Sequence, residues 1–309
     1  MSATDRPSSL LDKPDLMEAW INEAHAQRDS IVAEIFPTVP EYVRCITSSE
    51  VMYTFRPNAL PYRNISFVEL REALARHYDL QPNIGEIMEG LPDGRAGAVT
   101  PDEIATMILR SSNTRLSFQD GLLRMPHGRA IVIEEVLFAR ESLFCKVIGP
   151  SRAGDQIIYE LLPMLWALAG VKRSWSEIEV YNQRVKYGTG TQVFLSDSGR
   201  GLLSAAFLKL LDDWCSQDGL ASQMGARDVL ADGKPPQGAT VRFSLDELHL
   251  IFNRTAAVGI SEETKLRIGV DARNERGTGI FTVGSELPFT EHLELVKTLL
   301  EPGLTPQKT

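Results

Sequence analysis

Two Gly-Thr-Gly triplets stand in similar surroundings in the C-terminal half of this 309-residue chain. One spans Gly188–Gly190 and the other spans Gly277–Gly279, and each is followed by a segment rich in β-branched and aromatic residues. Glycine is favoured where a chain turns with positive φ, so each triplet is predicted to join two strands as a hairpin. The glycine-rich loop of a dinucleotide site leads into a helix instead, so the triplets favour an architectural role.

The elements predicted around the two triplets follow the same order. Strand, helix, strand, strand and helix are expected over about 140–216 and again over about 239–303. In the second copy, the capping-box pattern Ser244–Glu247 predicts the start of the first helix. The β-α-β-β-α order is most of a ferredoxin-like unit, and two unrelated hairpins in one domain are the alternative. We therefore expect an α+β fold, in which helices cover an antiparallel sheet and the C-terminal half is duplicated.

Three regions are expected along the chain. Residues 1–40 form a tail and an amphipathic helical arm, with the helix over Asp15–Ile35, and the arm could pack on its own domain or on a second copy. Residues 131–309 form the α+β domain that contains the repeat. Between them lies a small α+β segment, 41–130, with strands 42–46 and 51–55, helices 67–78 and 101–110, and a hairpin at Asp120-Gly121.

Composition excludes several classes of protein. The net charge of −9 opposes broad binding to phosphate backbones, which depends on a positive surface. No apolar run approaches the roughly 18 residues of a spanning helix, and the N-terminus lacks the apolar core of a signal peptide, so a cytoplasmic location is expected. Cys45, Cys145 and Cys215 form no CxxC pair, so they favour buried apolar roles over a zinc site or a disulfide framework.

Helix starts next to arginines are the candidate ligand-binding sites. Ser198 and Arg200 lie in the loop before a predicted helix, where free N–H groups and a guanidinium could hold a phosphate or carboxylate. Arg152 occupies the corresponding loop one helix earlier, and Arg273 precedes the second triplet. The alternative is that the serines and aspartates of these loops are ordinary helix caps.

The candidate catalytic residues are His127, Glu134 and Glu135. His127 lies in a basic turn beside Arg129, where neighbouring positive charge would lower its pKa and suit a general base. Glu134 and Glu135 interrupt an apolar strand, so one carboxylate should point to each face of the sheet and one could be a buried acid or ligand. The alternatives are a merely exposed histidine and an edge strand protected by charge.

No strong catalytic motif is present, and the five histidines lack metal-ligand spacing, so no metal site and no particular cofactor are predicted. The leading expectation is a soluble binding or assembly protein that self-associates. One alternative is an enzyme or sensor for a small anionic ligand, phosphorylated or carboxylate. A third is DNA binding through a winged-helix-like segment, 67–125, although sparse positive charge makes nucleic acid the weaker hypothesis, and no membrane partner is expected.

Overall fold

The computed structural model describes residues 13–83, 100–111, 114–195, 247–255, 261–270 and 280–300. The chain divides into two compact units. Unit 1 comprises Met1–Thr38, Ile46–Gly190 and Glu286–Glu291. Unit 2 comprises Val39–Cys45, Thr191–Ser285 and His292–Thr309.

Helices and antiparallel strands are mixed in the described residues, which confirms the α+β class. The helices are α1 (Lys13–Ser30), α2 (Val32–Ile35), α3 (Phe67–Tyr78), α4 (Pro101–Arg110), α5 (Ser151–Leu168), α6 (Trp175–Glu179) and α7 (Phe289–Leu300). The strands are β1 (Val43–Phe55), β2 (Gln81–Pro82), β3 (Arg115–Arg124), β4 (Ala130–Ala139), β5 (Ser142–Ile148), β6 (Asn182–Phe194), β7 (Glu247–Thr255), β8 (Ser261–Val270) and β9 (Ile280–Ser285). Single 3-10 turns lie at Tyr62–Asn64 and Pro126–Gly128.

In unit 1 the strands follow the order β2-β3-β4-β5-β1-β6. The pairs β2–β3, β3–β4, β4–β5 and β5–β1 are antiparallel, with Val51 opposite Cys145. Alternate residues of β4 and β5 are buried, which is the period of a sheet with one covered face. Helix α5 packs on β5, and its apolar side chains join those of the sheet in one core, which includes Phe55, Phe138, Leu143, Ile157, Leu161 and Leu165.

The N-terminal arm packs on its own unit. Helix α1 contacts α5, and Trp20 and Ala24 are buried in the core of unit 1. The predicted single helix Asp15–Ile35 is divided, because α1 ends at Ser30 and the one-turn helix α2 follows from Val32. Ile31 and Ile35 are also buried, so the whole apolar face of the arm is used within the chain.

Unit 2 contains the beginning of β1 and the end of β6. Within unit 2 the strands follow the order β1-β6-β9-β8-β7, and the pairs β7–β8 and β8–β9 are antiparallel. A separate apolar core joins these strands to α7, and its fully or nearly fully buried members include Val193, Leu266, Ile268, Val283 and Val296.

Two predicted turns are strands in the structure. Gly188–Gly190 lies inside the 13-residue strand β6, so the hairpin predicted at the first triplet is wrong. Asp120-Gly121 lies inside β3, which pairs with β4 on both sides of it. Asp120 takes the left-handed conformation there, with φ of 58°, and Gly121 leaves room for Leu80. The Asp-Gly pair therefore marks an irregularity within a strand and not a turn between two strands.

The polar run Thr47–Glu50 is also not a turn. It continues β1, because Ser49 and Glu50 pair with Val147 and Lys146 of β5. Strand β6 begins at Asn182, because a capping box between Ser174 and Glu177 starts the short helix α6 before it.

The second copy of the proposed repeat does not have the expected order. Glu247–Thr255 is the strand β7, where the pattern Ser244–Glu247 predicted a helix. Strand β7 pairs with β8 along its whole length, so the hydrogen bonds of the sheet outweigh the local preference for a helix start. The predicted ferredoxin-like duplication is not confirmed, and the second triplet, Gly277–Gly279, lies outside the described residues.

In the part of the chain that the structure describes, no helix combines the length and the apolar character that crossing a membrane requires.

Candidate functional site

A cavity of about 280 Å³ lies in unit 1, where four separate segments meet. We call it the arginine cavity. Its wall is formed by the segment between β1 and α3, the end of α4, the turn between β4 and β5, and one residue of α5. Its lining residues are Asn58, residues 60–64, residues 109–111, Thr114, Arg140 and Trp166.

Local hydrogen bonds hold the first of these segments in place. Asn58 adopts a left-handed conformation with φ of 61°, which asparagine tolerates well, and Ala59 N donates to Arg56 O at 3.1 Å to close the turn. Pro61 then leads into the 3-10 turn Tyr62–Asn64, closed by Asn64 N donating to Pro61 O at 3.0 Å. The turn places Tyr62 in the wall of the cavity next to Arg63.

Thr114 connects the end of α4 to the turn between β4 and β5. Its hydroxyl donates to Leu109 O at 3.1 Å and to Ser111 O at 3.0 Å, and so satisfies carbonyls that the end of a helix leaves free. Its own carbonyl accepts from Arg140 N at 3.2 Å. This buried threonine therefore links the end of α4, which carries Arg110, to the turn that carries Arg140.

The cavity is strongly positive. Arg63, Arg110 and Arg140 all line it and are exposed, whereas none of its described lining residues is aspartate or glutamate. The end of α4 contributes a negative partial charge of roughly half an elementary charge, and its carbonyls already accept hydrogen bonds. Three arginines and no carboxylate among the described lining residues give the cavity a lining that suits an anion.

Two buried donors in the cavity wall have no hydrogen-bond partner. Tyr62 is 4% exposed, and its hydroxyl is unpartnered, as is the indole N–H of Trp166. Burial raises the pKa of Tyr62 well above its usual value, so the hydroxyl keeps its proton. The Arg173 guanidinium lies 4.4 Å from the centroid of the Trp166 ring, in a cation–π contact. Such orphaned groups are uncommon in native interiors.

The arginines predicted from sequence make surface contacts instead. Arg152 lies in the first turn of α5, where its Nε donates to Glu34 at 2.8 Å, so a carboxylate of the same unit occupies it. Arg129 stacks over the Phe36 ring with its guanidinium 5.0 Å from the centroid. Both arginines thus contact the end of the N-terminal arm, and neither lines the arginine cavity.

The carboxylates Glu134 and Glu135 have partners on neighbouring strands. Glu134 forms an ion pair with Lys146 at 3.3 Å, and Glu135 accepts a hydrogen bond from Ser117 at 2.7 Å. Strand β4 lies between β3 and β5, so the interpretation of an edge strand is wrong. A register shift between Ile133 and Glu135 interrupts the alternation of side chains on which the prediction of opposite faces depended.

The remaining predicted residues are not brought to a common site by the described structure. His127 lies in the 3-10 turn Pro126–Gly128 between β3 and β4, away from the residues of the arginine cavity. Ser198, Arg200 and Arg273 lie outside the described residues.

A buried carboxylate joins three elements of unit 1. Asp155 of α5 accepts hydrogen bonds from Tyr53 of β1 at 3.0 Å and from Tyr187 of β6 at 3.2 Å. Burial raises the pKa of Asp155, and the two tyrosine hydrogen bonds oppose that effect. The same burial raises the pKa of Cys145 far above its usual value, so this thiol stays protonated. The cluster is fully paired, which favours a structural role.

Unit 2 holds a buried histidine. His292 Nε2 lies 2.9 Å from Thr191 Oγ1, and its Nδ1 lies 2.8 Å from Ser285 Oγ. Burial lowers the pKa of His292 to about 4, so the ring is neutral at physiological pH. Its full burial leaves no access for a substrate, which again favours a structural role.

Sequence reasoning missed the arginine cavity. Its three arginines come from distant segments, and each is surrounded by ordinary loop or helix-end residues. The unpaired donors Tyr62 and Trp166 are invisible to any local pattern, since a lack of partners is a tertiary property. For metals, no three histidine, cysteine, aspartate or glutamate residues in the described ranges lie close enough to hold an ion.

No family model, no curated protein and no solved structure matches this chain. The geometry of the molecule is therefore the basis for any statement about its function.

Proposed function

We propose that this protein binds a small anionic ligand in the arginine cavity. The observation that carries the proposal is the meeting of Arg63, Arg110 and Arg140 at one cavity with no carboxylate among its described lining residues. Guanidinium groups form charge-assisted, often bidentate hydrogen bonds with phosphates and carboxylates. The overall charge of −9 makes such a local concentration of positive charge the exception on this molecule.

The groups in the cavity suit binding better than catalysis. General acid–base chemistry needs a group that titrates near the working pH, and the described lining residues offer only arginines, amides, hydroxyls and an indole. A role in sensing, carrying or storing the ligand fits this set of donors. The volume of about 280 Å³ lies at the lower end of the range for ligand sites, which favours a compact metabolite.

Isothermal titration calorimetry and thermal-shift measurements test the proposal. The probes are inorganic phosphate, a panel of phosphorylated metabolites and a panel of dicarboxylates. We expect at least one anion to stabilise the protein, with an effect that weakens as ionic strength rises. Arg63→Gln, Arg110→Gln and Arg140→Gln should each weaken that binding by about tenfold or more, which corresponds to about 1.4 kcal/mol.

Arg56→Gln is the matched control. Arg56 is an exposed arginine in the turn that precedes Asn58, but it does not line the cavity. The Arg56→Gln substitution changes the net charge by the same amount as each of the three cavity substitutions. A loss of binding caused only by the lower net charge would therefore be equal in all four variants. Equal effects of Arg56→Gln and Arg110→Gln, or no binding by any of the probes, would show that the cavity is not an anion site.

Self-association is a second candidate function, and exposed apolar residues of unit 1 support it. Val132 and Ile148 are opposite each other on β4 and β5, and they are 41% and 43% exposed. Half-buried Leu137 and Phe144 form a second apolar pair on the same two strands, beyond the charged pair Glu135 and Lys146. Such a patch suits contact with a second copy. The N-terminal arm no longer supports this hypothesis, because its apolar face is buried within its own unit.

DNA binding is the weakest of the three proposals. The winged-helix outline over 67–125 depended on a hairpin at Asp120-Gly121, and β3 is a single strand inside the sheet. Arg124 forms an ion pair with Asp79, which reduces the positive charge available in this segment.

A further inference from the structure

We infer that the ligand of the arginine cavity is a hydroxylated anion, in which alcohol groups stand beside the phosphate or carboxylate head. The inference rests on the proposed function and specifies the class of ligand. It comes from two carboxamides of the cavity that the attraction of the arginines for an anion does not explain. Asn58 and Asn64 both line the cavity and are exposed, so a molecule bound there can contact them.

The other uncharged polar groups among the described lining residues are already bonded or out of reach. The Ser111 hydroxyl donates to Ile108 O at 2.8 Å, and the Thr114 hydroxyl is bound to carbonyls at the end of α4. The Tyr62 hydroxyl and the Trp166 indole N–H each have less than 1 Å² of accessible surface, so a ligand in the cavity reaches neither. The asparagines are therefore the uncharged side chains with which a ligand can exchange hydrogen bonds.

The backbone holds both asparagines in defined turns and leaves their carboxamides open. Asn64 N donates to Pro61 O at 3.0 Å in the 3-10 turn, and Asn58 has a left-handed backbone with φ of 61°. That conformation favours asparagine at position 58, whereas Asn64 has no positive φ that would favour its side chain. Within the residues that the structure describes, neither carboxamide has a hydrogen-bond partner.

The chemistry of a carboxamide selects the second group of the ligand. Each asparagine offers a carbonyl oxygen as an acceptor and an NH₂ group as a donor, whereas guanidinium groups only donate. An ionised phosphate or carboxylate has no proton to give to the asparagine oxygens, so another part of the ligand must donate to them. An ammonium group would be repelled by Arg63, Arg110 and Arg140. An alcohol is uncharged and both donates and accepts, so it matches the carboxamides.

The positions of Arg63 and Asn64 place the two kinds of group close together. They are consecutive residues of one 3-10 turn and both line the cavity, so one turn presents a guanidinium and a carboxamide to the same ligand. An alcohol within a few bonds of the anionic head suits this arrangement, as in the phosphate of a short polyol or in a hydroxy acid. The cavity volume of about 280 Å³ favours such a compact molecule.

A pair of matched probes tests the inference. Glycerol 3-phosphate and propyl phosphate have the same anionic head and the same number of carbon atoms, and they differ by two alcohol groups. Calorimetry on the full chain should show that glycerol 3-phosphate binds about tenfold more tightly, the combined effect of two hydrogen bonds of ordinary net strength. Glycerate and propionate form the corresponding pair for a carboxylate head.

Substitution of each asparagine assigns the preference to the carboxamides. Asn58→Gly removes one of them and keeps the left-handed backbone, because glycine adopts positive φ readily. Asn58→Gly and Asn64→Ala should each reduce the preference for the hydroxylated compound about threefold, the effect of one hydrogen bond. Gln183→Ala is the matched control, because Gln183 is an exposed carboxamide of β6 that does not line the cavity, and it should keep the full preference. Thermal unfolding without ligand verifies that each variant is folded.

The outcomes distinguish this inference from the proposed function. Equal affinities of the wild-type protein for the two members of each pair, with binding dependent on Arg110 and Arg140, would overturn the inference and leave anion binding intact. A preference for the hydroxylated compound that survives in the double variant Asn58→Gly/Asn64→Ala would overturn it as well. Failure of both pairs and of the metabolite panel to bind would overturn the proposed function itself.

Discussion

Arg28 and Glu160 form a two-point ion pair in the interior of unit 1. Arg28 Nε donates to Glu160 Oε1 at 2.7 Å, and Arg28 Nη2 donates to Oε2 at 2.5 Å. The same carboxylate accepts from Tyr78 at 2.6 Å and from Gln156 at 2.9 Å. Trp20 of the arm donates its indole N–H to the Glu160 backbone carbonyl at 2.7 Å. The arm is thus attached to α5 by directed polar contacts as well as by apolar packing.

Glu160→Gln should destabilise the protein by about 3–5 kcal/mol, because it leaves the buried guanidinium of Arg28 without its counter-charge. Urea unfolding measures the effect. The double variant Arg28→Met/Glu160→Met should lose less stability than the sum of the losses of Arg28→Met and Glu160→Met, because neither charge is then left alone. Additive losses would mean that the two residues do not depend on each other.

Gly190→Ala should destabilise the protein by about 1–3 kcal/mol, which is typical of overpacking. A Cβ at Gly190 would overlap Thr47 Oγ1, so the glycine lets β6 pass close to β1. Gly188→Ala is the matched control from the same triplet, because a Cβ there would lie 3.4 Å from Glu50 Cβ, close to ordinary contact. Similar losses for the two variants would contradict the assignment of the close approach to Gly190.

Asp155→Asn should remove one component of the pH dependence of stability. Burial raises the pKa of Asp155 in the folded protein above its ordinary value of 3.8. The folded state then holds a proton that the unfolded state releases, so this group makes stability fall as pH rises from 3.8 to the folded pKa. The difference in unfolding free energy between wild type and Asp155→Asn, measured over that range, should shift in favour of the variant as pH rises. A constant difference would show that Asp155 ionises normally.

His292 should produce the opposite slope. Its pKa falls from 6.5 to about 4 on folding, because burial disfavours the charged ring. The unfolded state binds the proton more readily between these values, so stability should fall by about 3 kcal/mol as pH drops from 6.5 to 4. His77, whose pKa is also lowered to about 4, adds to the wild-type slope, so the wild type must be compared directly with His292→Gln. An identical slope in His292→Gln would rule out this contribution.

Val132→Lys should reduce self-association if the exposed pair on β4 and β5 is the contact surface. A charge placed opposite Ile148 would have to be desolvated in any interface between two copies. Sedimentation equilibrium over micromolar concentrations gives the mass of both proteins. A wild-type protein that stays strictly monomeric over this range would remove self-association as a function.

Helix starts that depend on neighbours in sequence were predictable. Thr100 and Glu103 form a capping box at the predicted start of α4, in which Glu103 Oε2 accepts from Thr100 N at 2.8 Å. Helix α4 begins at Pro101 as predicted, and α3 covers the predicted 67–78. The reason is physical, because a cap is made by groups three residues apart, and the sequence contains all of them.

Strand continuity was not predictable in the same way. Gly188–Gly190, Asp120-Gly121 and Thr47–Glu50 all have the composition of turns, yet each continues a strand. Sheet pairing is made with partners distant in sequence, so the neighbouring strand outweighs the local preference. The same reason explains why the helix predicted from the pattern Ser244–Glu247 is a strand, since β7 pairs with β8 along its whole length.

The amino-acid sequence therefore determined the α+β class, the apolar alternation of β4 and β5, and the starts of α3 and α4, because local spacing is sufficient for these features. Tertiary structure alone brought Arg63, Arg110 and Arg140 to one cavity and left Tyr62 and Trp166 without partners beside them. It also attached the arm to its own unit through Arg28 and Glu160, which are 132 positions apart. Convergence of distant side chains depends on the packing of whole elements, and no local pattern records it.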